Sequence, residues 1–256
     1  MTDAVPKLAW KGVTKRFDGR AVLDGLDLSV APGKSLVIIG GSGQGKSVTI
    51  KTALGLMRPE AGKIELDGKN VVGLSEGARR KLFSRIGVLF QGAALFDSLT
   101  VWENVAFRLI NADGVPRKEA RERAIEALDQ VRLAPAVADR FPSELSGGMQ
   151  KRAGLARAVV ARPEILFFDE PTTGLDPITA AAINQLISDQ VRRLGSTAVS
   201  ITHDLASAQT IGDEIAMLHD GKIIWRGPAA QLRTTDNPYV RQFVEGRAEG
   251  PISHAV

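Results

Sequence analysis

The chain has 256 residues, enough for one large domain or for a core with a subdomain. Its 33 Lys and Arg residues against 29 Asp and Glu residues give a net charge of +4. This charge is too small to indicate a nucleic-acid-binding protein, although it suits work beside an anionic membrane surface. The absence of cysteine excludes disulfides and thiolate metal sites and is compatible with a reducing cytosol.

The apolar residues indicate neither a secretory signal nor a membrane span. Met1 to Trp10 has no long apolar core, and no apolar run reaches the length needed to cross a bilayer. If the protein works at a membrane, we expect other chains to hold it there.

Short apolar runs on both sides of a glycine-rich stretch predict strands. They are Leu8 to Phe17, Leu26 to Val30, Ser35 to Ile39, Lys63 to Leu66 and Ile86 to Phe90. Turn pairs such as Asp18-Gly19 and Pro32-Gly33 lie near their ends. The strands around the glycine-rich stretch favour an antiparallel layer beside the main sheet.

The glycine-rich stretch fits G-x-x-x-x-G-K-[ST], the phosphate-binding P-loop. Its residues are Gly40, Gly41, Ser42, Gly43, Gln44, Gly45, Lys46 and Ser47, and a predicted helix follows from Val48 to Leu56. Glycines let the backbone approach phosphates closely, and the N–H groups of the loop and helix start then point at anionic oxygens. Lys46 would reach the β and γ phosphates, and the Ser47 hydroxyl would bind Mg²⁺. The alternative is a glycine-rich turn before an ordinary helix.

From Thr100 to about Ala161 the pattern is helical. Thr100 and Glu103 are spaced as a capping box, and Pro116 to Val131 carries apolar residues at helical spacing amid many charges. We therefore predict a helical subdomain at residues 96–160, inserted between core segments at residues 1–95 and 161–245. Residues 246–256 are predicted to form an irregular tail.

Strands and helices alternate again after this region. The predicted strands are Glu164 to Phe168, Thr197 to Ile201, Glu214 to Leu218 and Lys222 to Arg226, the last two forming a hairpin over Asp220-Gly221. The predicted helices are Pro177 to Leu194, Asp204 to Ile211 and Pro238 to Glu245. Such alternation predicts an α/β core with a mostly parallel sheet.

Two carboxylates, Asp169 and Glu170, stand at the end of an apolar strand, where ligands bind in open α/β sheets. Asp169 is placed to hold Mg²⁺ directly or through water, and Glu170 is free to act as general base on the attacking water. An acidic pair at a strand exit is common by itself. The P-loop upstream favours the metal-and-base interpretation.

The sequence L-S-G-G-M-Q at Leu145 to Gln150 precedes a predicted helix at Lys151 to Ala161. Glycines and a serine at a helix start can form a second anion site, and an N-capped helix without a ligand is the alternative. Together with the P-loop and the downstream carboxylates, this motif resembles the signature of ATP-binding cassette (ABC) ATPases. The resemblance covers about Leu8 to Val244. It implies a P-loop NTPase core with a mostly parallel sheet, an antiparallel β layer and an inserted helical subdomain.

The resemblance implies roles for further positions. Phe17 matches the aromatic residue that stacks on adenine, and Gln91 matches the Q-loop glutamine that touches Mg²⁺ or water. Asp176 belongs to a D-loop that crosses the dimer interface, and His203 matches the switch histidine that senses the γ-phosphate. Each has a plainer interpretation: a core aromatic, a solvent-facing glutamine, a helix cap before Pro177, and a structural histidine.

One P-loop and one signature motif per chain imply a head-to-tail homodimer. In the family the signature of one subunit, here Ser146, Gly147, Gly148 and Met149, closes the nucleotide site of the other. The resemblance also implies that Val48, directly after the P-loop, binds the nucleotide. ATP is then expected to close the pair and hydrolysis to release it.

The segment after Gln91 is where the family receives the coupling helices of its membrane subunit. Leu95, Phe96 and Leu99 would give an apolar floor for such a helix, and packing inside the subdomain is the alternative. The sequence A-L-F-D-S-L-T-V-W-E-N-V, with Met149 in the signature, resembles the corresponding segments in ATPases of the Mla (maintenance of lipid asymmetry) phospholipid transporter and its Mce-associated relatives.

This closer resemblance implies a peripheral subunit on the cytoplasmic face of a Gram-negative inner membrane. It would drive an integral membrane permease that moves phospholipid between the inner membrane and the outer membrane or periplasm. A periplasmic Mce-domain protein and a STAS-type accessory protein are the further partners implied, and nucleic acid is not. The alternatives are a cassette for another small or hydrophobic solute, or a cassette outside transport. His219 and His254 are expected at a hairpin edge and in the tail.

Overall fold

The computed structural model describes residues 5–252. The predictions that concern Met1 and His254 lie outside the described residues. The chain divides into two compact units, of which the first contains Met1–Arg79 and Val199–Val256 and the second contains Arg80–Ala198.

The strands and helices of residues 5–252 are as follows. The strands are β1 (Leu8–Phe17), β2 (Arg20–Val30), β3 (Ser35–Ile39), β4 (Ala61–Leu66), β5 (Lys69–Asn70), β6 (Ile86–Leu89), β7 (Ile165–Asp169), β8 (Thr197–Ile201), β9 (Glu214–His219) and β10 (Lys222–Pro228). The α-helices are α1 (Lys46–Ala53), α2 (Glu76–Phe83), α3 (Val101–Asn111), α4 (Arg117–Gln130), α5 (Gly147–Val159), α6 (Pro177–Leu194), α7 (Leu205–Ile211) and α8 (Pro238–Glu245).

The first unit contains the predicted antiparallel layer, with strand order β2-β1-β4-β5. The prediction that β2 begins at Leu26 was wrong, since the strand begins at Arg20. Asp18 and Gly19 have φ of 48° and 78°, and Phe17 pairs with Arg20 across them. A tight two-residue turn with two positive φ angles lets the chain reverse and pair at once.

A second set of strands in the first unit has the order β10-β9-β3. β3 runs parallel to β9, and β9 and β10 form the predicted hairpin over Asp220-Gly221. All five residues of β3 are buried, which explains why its sequence is continuously apolar rather than alternating. The α/β class and the mixture of parallel and antiparallel strands are thus confirmed.

The second unit pairs β6 with β7 in parallel and contains α3 to α6. Glu103 accepts hydrogen bonds from the backbone N–H and the hydroxyl of Thr100, at 2.9 and 2.8 Å, as the capping-box spacing predicts. α5 begins at Gly147, earlier than the predicted Lys151, because the Ser146 hydroxyl caps it by accepting from the Met149 N–H.

One strand and one α-helix of the described residues were not predicted, and their sequences explain why. β5 is two residues long, and α2 buries no side chain, so neither carries an apolar periodicity. In the part of the chain that the structure describes, no helix is long and apolar enough to cross a bilayer.

The described part of the tail folds back on α8. Gln242 is buried, and its side-chain amide donates to Ile252 O at 3.1 Å and accepts from Ile252 N at 2.7 Å. At the other end of this helix the Tyr239 ring packs on His219 at the end of β9, with centroids 5.2 Å apart.

Candidate functional site

The glycine-rich loop joins the buried strand β3 to α1, as its motif predicts. Gly40, Gly43 and Gly45 have φ of 151°, 75° and 97°. A Cβ at Gly40 would lie 2.3 Å from Leu218 O, and a Cβ at Gly45 would lie 2.7 Å from Val22 O. Two of these glycines are therefore required by close backbone approach, which leaves the loop wrapped tightly against its own unit.

The middle of the loop faces solvent. Ser42, Gly43 and Gln44 line a cavity of about 500 Å³, together with Arg20 and Asp220 of the two neighbouring turns. The Gln44 side chain accepts a hydrogen bond from the Asp220 N–H at 2.7 Å. The β9–β10 turn therefore fixes one wall of the cavity beside the P-loop.

Lys46, the first residue of α1, is buried. Its ammonium donates to Gly40 O and Gly41 O, both at 2.8 Å. The positive charge is thus held against the first two residues of the loop by their carbonyl oxygens. Ser47 and Val48 follow on the first turn of the helix and are half-buried.

Phe17 lies at the end of β1 and is 41% exposed, so it is not a core aromatic. The Lys15 ammonium stands 5.4 Å from its ring centroid, which is within range of a cation–π interaction. Lys15 is also paired with Glu60 at 2.5 Å, and Glu60 accepts from the Arg16 N–H at 2.8 Å. These contacts fix the backbone that presents the ring.

His203 belongs to the same unit as the P-loop. It follows β8 and is exposed, and its neighbour Thr202 donates its N–H to Ile38 O at 3.3 Å. β3 and β8 are neighbouring strands. His203, after β8, and Gly40, after β3, therefore lie at the same edge of the sheet.

The second unit brings together Gln91, Asp169 and Glu170. β6 pairs in parallel with β7, with Leu89 opposite Phe168, so Gln91 and the two carboxylates follow neighbouring strands at one edge. Asp169 is buried, and Gln91 is exposed. The carboxylate pair and the glutamine thus occupy the end of the sheet where open α/β folds bind ligands.

Glu170 has a left-handed backbone, with φ of 48°. Its carboxylate accepts from the Thr173 hydroxyl at 3.0 Å, and its carbonyl oxygen accepts from the Thr173 N–H at 3.3 Å. A left-handed residue other than glycine costs roughly 1–2 kcal/mol. Such strain persists where the surroundings hold the residue in place, and it occurs often at active sites.

The signature residues form the start of α5. Ser146 and Gly147 are exposed, whereas Gly148 is buried and a Cβ there would lie 2.8 Å from Thr179 Cγ2. Asp176 caps α6 by accepting from the N–H groups of Ile178 and Thr179, both at 3.0 Å. The Thr179 hydroxyl is the main cause that holds the pKa of Asp176 below its usual value. The start of α5 therefore packs on the first turn of α6, beside an ionised Asp176.

A family model, several known proteins and a solved structure are similar to this chain. The family model described as ABC transporter matches residues 23–173. The chain belongs to the ABC transporter ATPase family. A probable ribonucleotide transport ATP-binding protein from Mycobacterium leprae is 40% identical over 242 residues, covering 94% of this chain and 70% of that protein.

Two further relatives of this ABC ATPase bear on its chemistry. The intermembrane phospholipid transport system ATP-binding protein MlaF of Escherichia coli is 38% identical over 233 residues, covering 91% of this chain and 86% of that protein. A dimeric ATP-binding cassette in a post-hydrolysis state, bound to ADP and Pi, superposes with a TM-score of 0.79. It is 32% identical, and the match covers 87% of this chain and 98% of that chain. The chain is thus an ATP-binding and ATP-hydrolysing enzyme.

The glycine-rich loop of this ABC ATPase gives a test of its close backbone packing. Gly40→Ala should lower the free energy of unfolding by about 3 kcal/mol or more, because its Cβ meets a backbone carbonyl that cannot rotate away. Gly43→Ala is the matched control, since its Cβ meets nothing within 4 Å and costs only the left-handed strain of roughly 1–2 kcal/mol. Urea denaturation measures both, and equal losses would contradict the close approach at Gly40.

Sequence reasoning missed three side chains that organise this ABC ATPase. Asn104 is buried and bonds Phe96 N at 2.7 Å and Leu99 O at 3.0 Å, so it orders the segment after Gln91. Lys151 and Arg157 reach backbone carbonyls in the same region from α5. The one available signal was position: Lys151 lies between Gly148 and Leu155 on the buried face of the predicted helix.

Proposed function

We propose that this ABC ATPase energises a transporter that moves phospholipid between the inner membrane and the outer membrane or periplasm. The supporting observation is its 38% identity, over 91% of its length, with a protein named for intermembrane phospholipid transport. The relative named for ribonucleotide transport, at 40% identity, favours a second candidate, a transporter for another solute.

In the proposed site, Phe17 stacks on adenine and the P-loop holds the phosphates. Gly40, Gly41, Ser42, Gly43, Gln44 and Gly45 present backbone N–H groups, with Ser47 and Val48 at the helix start. Open space beside Gly43, where a Cβ would meet nothing, fits a bulky anion against the backbone. Lys46 exchanges neutral carbonyl partners for anionic phosphate oxygens, which gives a stronger pair because donor and acceptor are then both charged.

The proposed hydrolysis uses Glu170 as general base, which accepts a proton from the attacking water. Gln91 orients that water, and His203 donates to the γ-phosphate. Ser47 and Asp169 would hold Mg²⁺, which neutralises charge on the phosphates. Their hydroxyl and carboxylate oxygens fit that ion, since Mg²⁺ is usually held by one or two protein oxygens together with substrate phosphates.

We propose a head-to-tail homodimer in which Ser146, Gly147, Gly148 and Met149 of one copy cover the ATP of the other. The exposed start of α5 offers backbone N–H groups to a phosphate. Asp176 lies next to Pro177 and Ile178, and Ile178 is 85% exposed, as expected for a side chain that a second copy covers.

The permease would dock on the apolar segment after Gln91. Phe96 is 45% exposed and stacks on the exposed Phe107 with centroids 4.7 Å apart. Leu95 and Leu99, which lie near Phe96 in the chain, are half-buried. Permease subunits would hold the ATPase on the cytoplasmic face of the inner membrane. A periplasmic Mce-domain protein and a STAS-type accessory protein complete the proposed complex.

A pull-down from native membranes in gentle detergent tests the proposal. The tagged chain should recover a polytopic permease, an Mce-domain protein and phospholipid, identified by mass spectrometry. Phe96→Asp should lose these partners, whereas Leu56→Asp, which changes an exposed leucine of the first unit, should keep them. Recovery of a different permease without an Mce-domain protein would support the second candidate, and recovery of no membrane protein would contradict both.

A further inference from the structure

Lys151 is a buried cation that the mechanism proposed above does not use. It is 5% exposed and lies one turn into α5, three residues after Gly148 of the signature. Its ammonium donates to Gln91 O and, at 3.5 Å, to Glu170 O. One side chain therefore touches the backbone of both the Q-loop glutamine and the general base.

The charge of Lys151 is affected both by burial and by nearby carboxylates. Burial lowers the pKa of its ammonium, and the nearby charges of Glu170 and Asp169 act against that shift. A buried ammonium is tolerated where oxygen atoms and opposite charges compensate for lost hydration. Lys151 is thus tied to the end of β7 by charge as well as by hydrogen bonds.

α5 also contacts the segment around Gln91 at two other points. A Cβ at Gly154 would lie 2.8 Å from Leu89 Cδ1, so the helix packs directly on the end of β6. Arg157 donates to Ala94 O at 2.7 Å and to Ala93 O, and both alanines have positive φ. A displacement of α5 must therefore move the backbone on either side of Gln91 as well.

The backbone of Glu170 depends on its neighbours because its left-handed conformation is strained. Lys151 reaches its carbonyl oxygen from the signature helix, and Thr173 contacts its carboxylate from the same loop. Without the ammonium, the carbonyls of Glu170 and Gln91 lose their shared donor.

We propose that Lys151 is a positioning residue that couples the signature helix to Gln91 and Glu170. The signature end of α5 serves the ATP bound to the partner copy, whereas Gln91 and Glu170 serve the ATP of this chain. Closure on one ATP would thereby set the catalytic geometry at the other. This inference rests on the proposed roles of Glu170, Gln91 and the signature.

Steady-state ATP hydrolysis by the full-length chain tests the inference. Lys151→Met should lower kcat at least about tenfold, with the KM for ATP within about threefold, because a small misplacement of catalytic groups slows chemistry without removing binding contacts. Lys151→Arg, which keeps a cationic donor, should lose less. Lys118→Met, an exposed lysine of α4, should leave both constants unchanged.

A double-mutant cycle separates positioning from a general structural role. In the Glu170→Gln background, Lys151→Met should cost far less than in wild type, because its effect passes through Glu170. If Lys151→Met fails to fold, judged by its thermal transition, Lys151→Gln takes its place in both experiments with the same expectation.

Three results would overturn the inference: a kcat within about twofold of wild type, a KM that rises in proportion to the loss, or full additivity in the cycle. Wild-type turnover in Glu170→Gln alone is a different result. It would contradict the proposed general base, whatever Lys151→Met does.

Discussion

Glu170→Gln should lower ATP turnover by about a thousandfold while ATP affinity stays within about threefold of wild type. Glutamine has the shape of glutamate, and its amide oxygen can still accept from the Thr173 hydroxyl that lies 3.0 Å from the carboxylate. What it loses is the ability to take a proton from water. A positioned general base contributes roughly a hundredfold to ten-thousandfold in rate.

This variant should also accumulate as an ATP-bound dimer, because the nucleotide that closes the pair is no longer consumed. Phosphate release measures turnover, and light scattering with and without ATP measures the dimer. Glu122→Gln, which changes an exposed carboxylate of α4, is the control and should behave as wild type. A monomer that persists in excess ATP would contradict the proposed dimer, and undiminished turnover would contradict the role of Glu170.

Lys46→Ala should weaken ATP binding at least about tenfold and abolish measurable hydrolysis. A hydrogen bond to a charged group is worth roughly 1.5–3 kcal/mol, and removing a buried ammonium from the loop removes at least one such bond to phosphate. The same change deletes the two 2.8 Å hydrogen bonds to Gly40 O and Gly41 O, so the loop also loses two internal contacts.

Titration with a fluorescent ATP analogue checks this expectation. Lys51→Ala is the matched control, since Lys51 lies on the same helix and makes no predicted contact with nucleotide. Lys46→Met retains the apolar stem and should lose affinity to a similar extent, which separates the charge from packing. Binding and turnover at wild-type levels in Lys46→Ala would show that its assigned role is wrong.

Local chemistry explains which elements were predictable from the sequence. α6 begins at Pro177 after the Asp176 cap and ends before Gly195, which has φ of 62°. Each boundary can therefore be predicted from the residue types that stand there. The β9–β10 hairpin likewise follows from Asp220-Gly221. By contrast, α2 has no buried face, and its existence cannot be inferred from periodicity.

The candidate site was predictable wherever a residue follows a buried strand. Gly40 after β3, Gln91 after β6, Glu170 after β7 and His203 after β8 all obey that rule. Lys151 and Arg157 do not, because their partners are backbone carbonyls far away in the chain. A carbonyl has no side-chain signature, so the pairing becomes visible only when the helix is packed in three dimensions.

The left-handed backbone of Glu170 has a consequence for anyone who redesigns this protein. A method that chooses each residue for compatibility with the backbone would prefer glycine or asparagine at a φ of 48°. Consensus or stability-guided libraries would therefore be drawn toward removing the very carboxylate on which turnover is proposed to depend, in return for relief of roughly 1–2 kcal/mol of strain. Position 170 should be held fixed in such work, and thermal stability alone would be a misleading screen for improved variants.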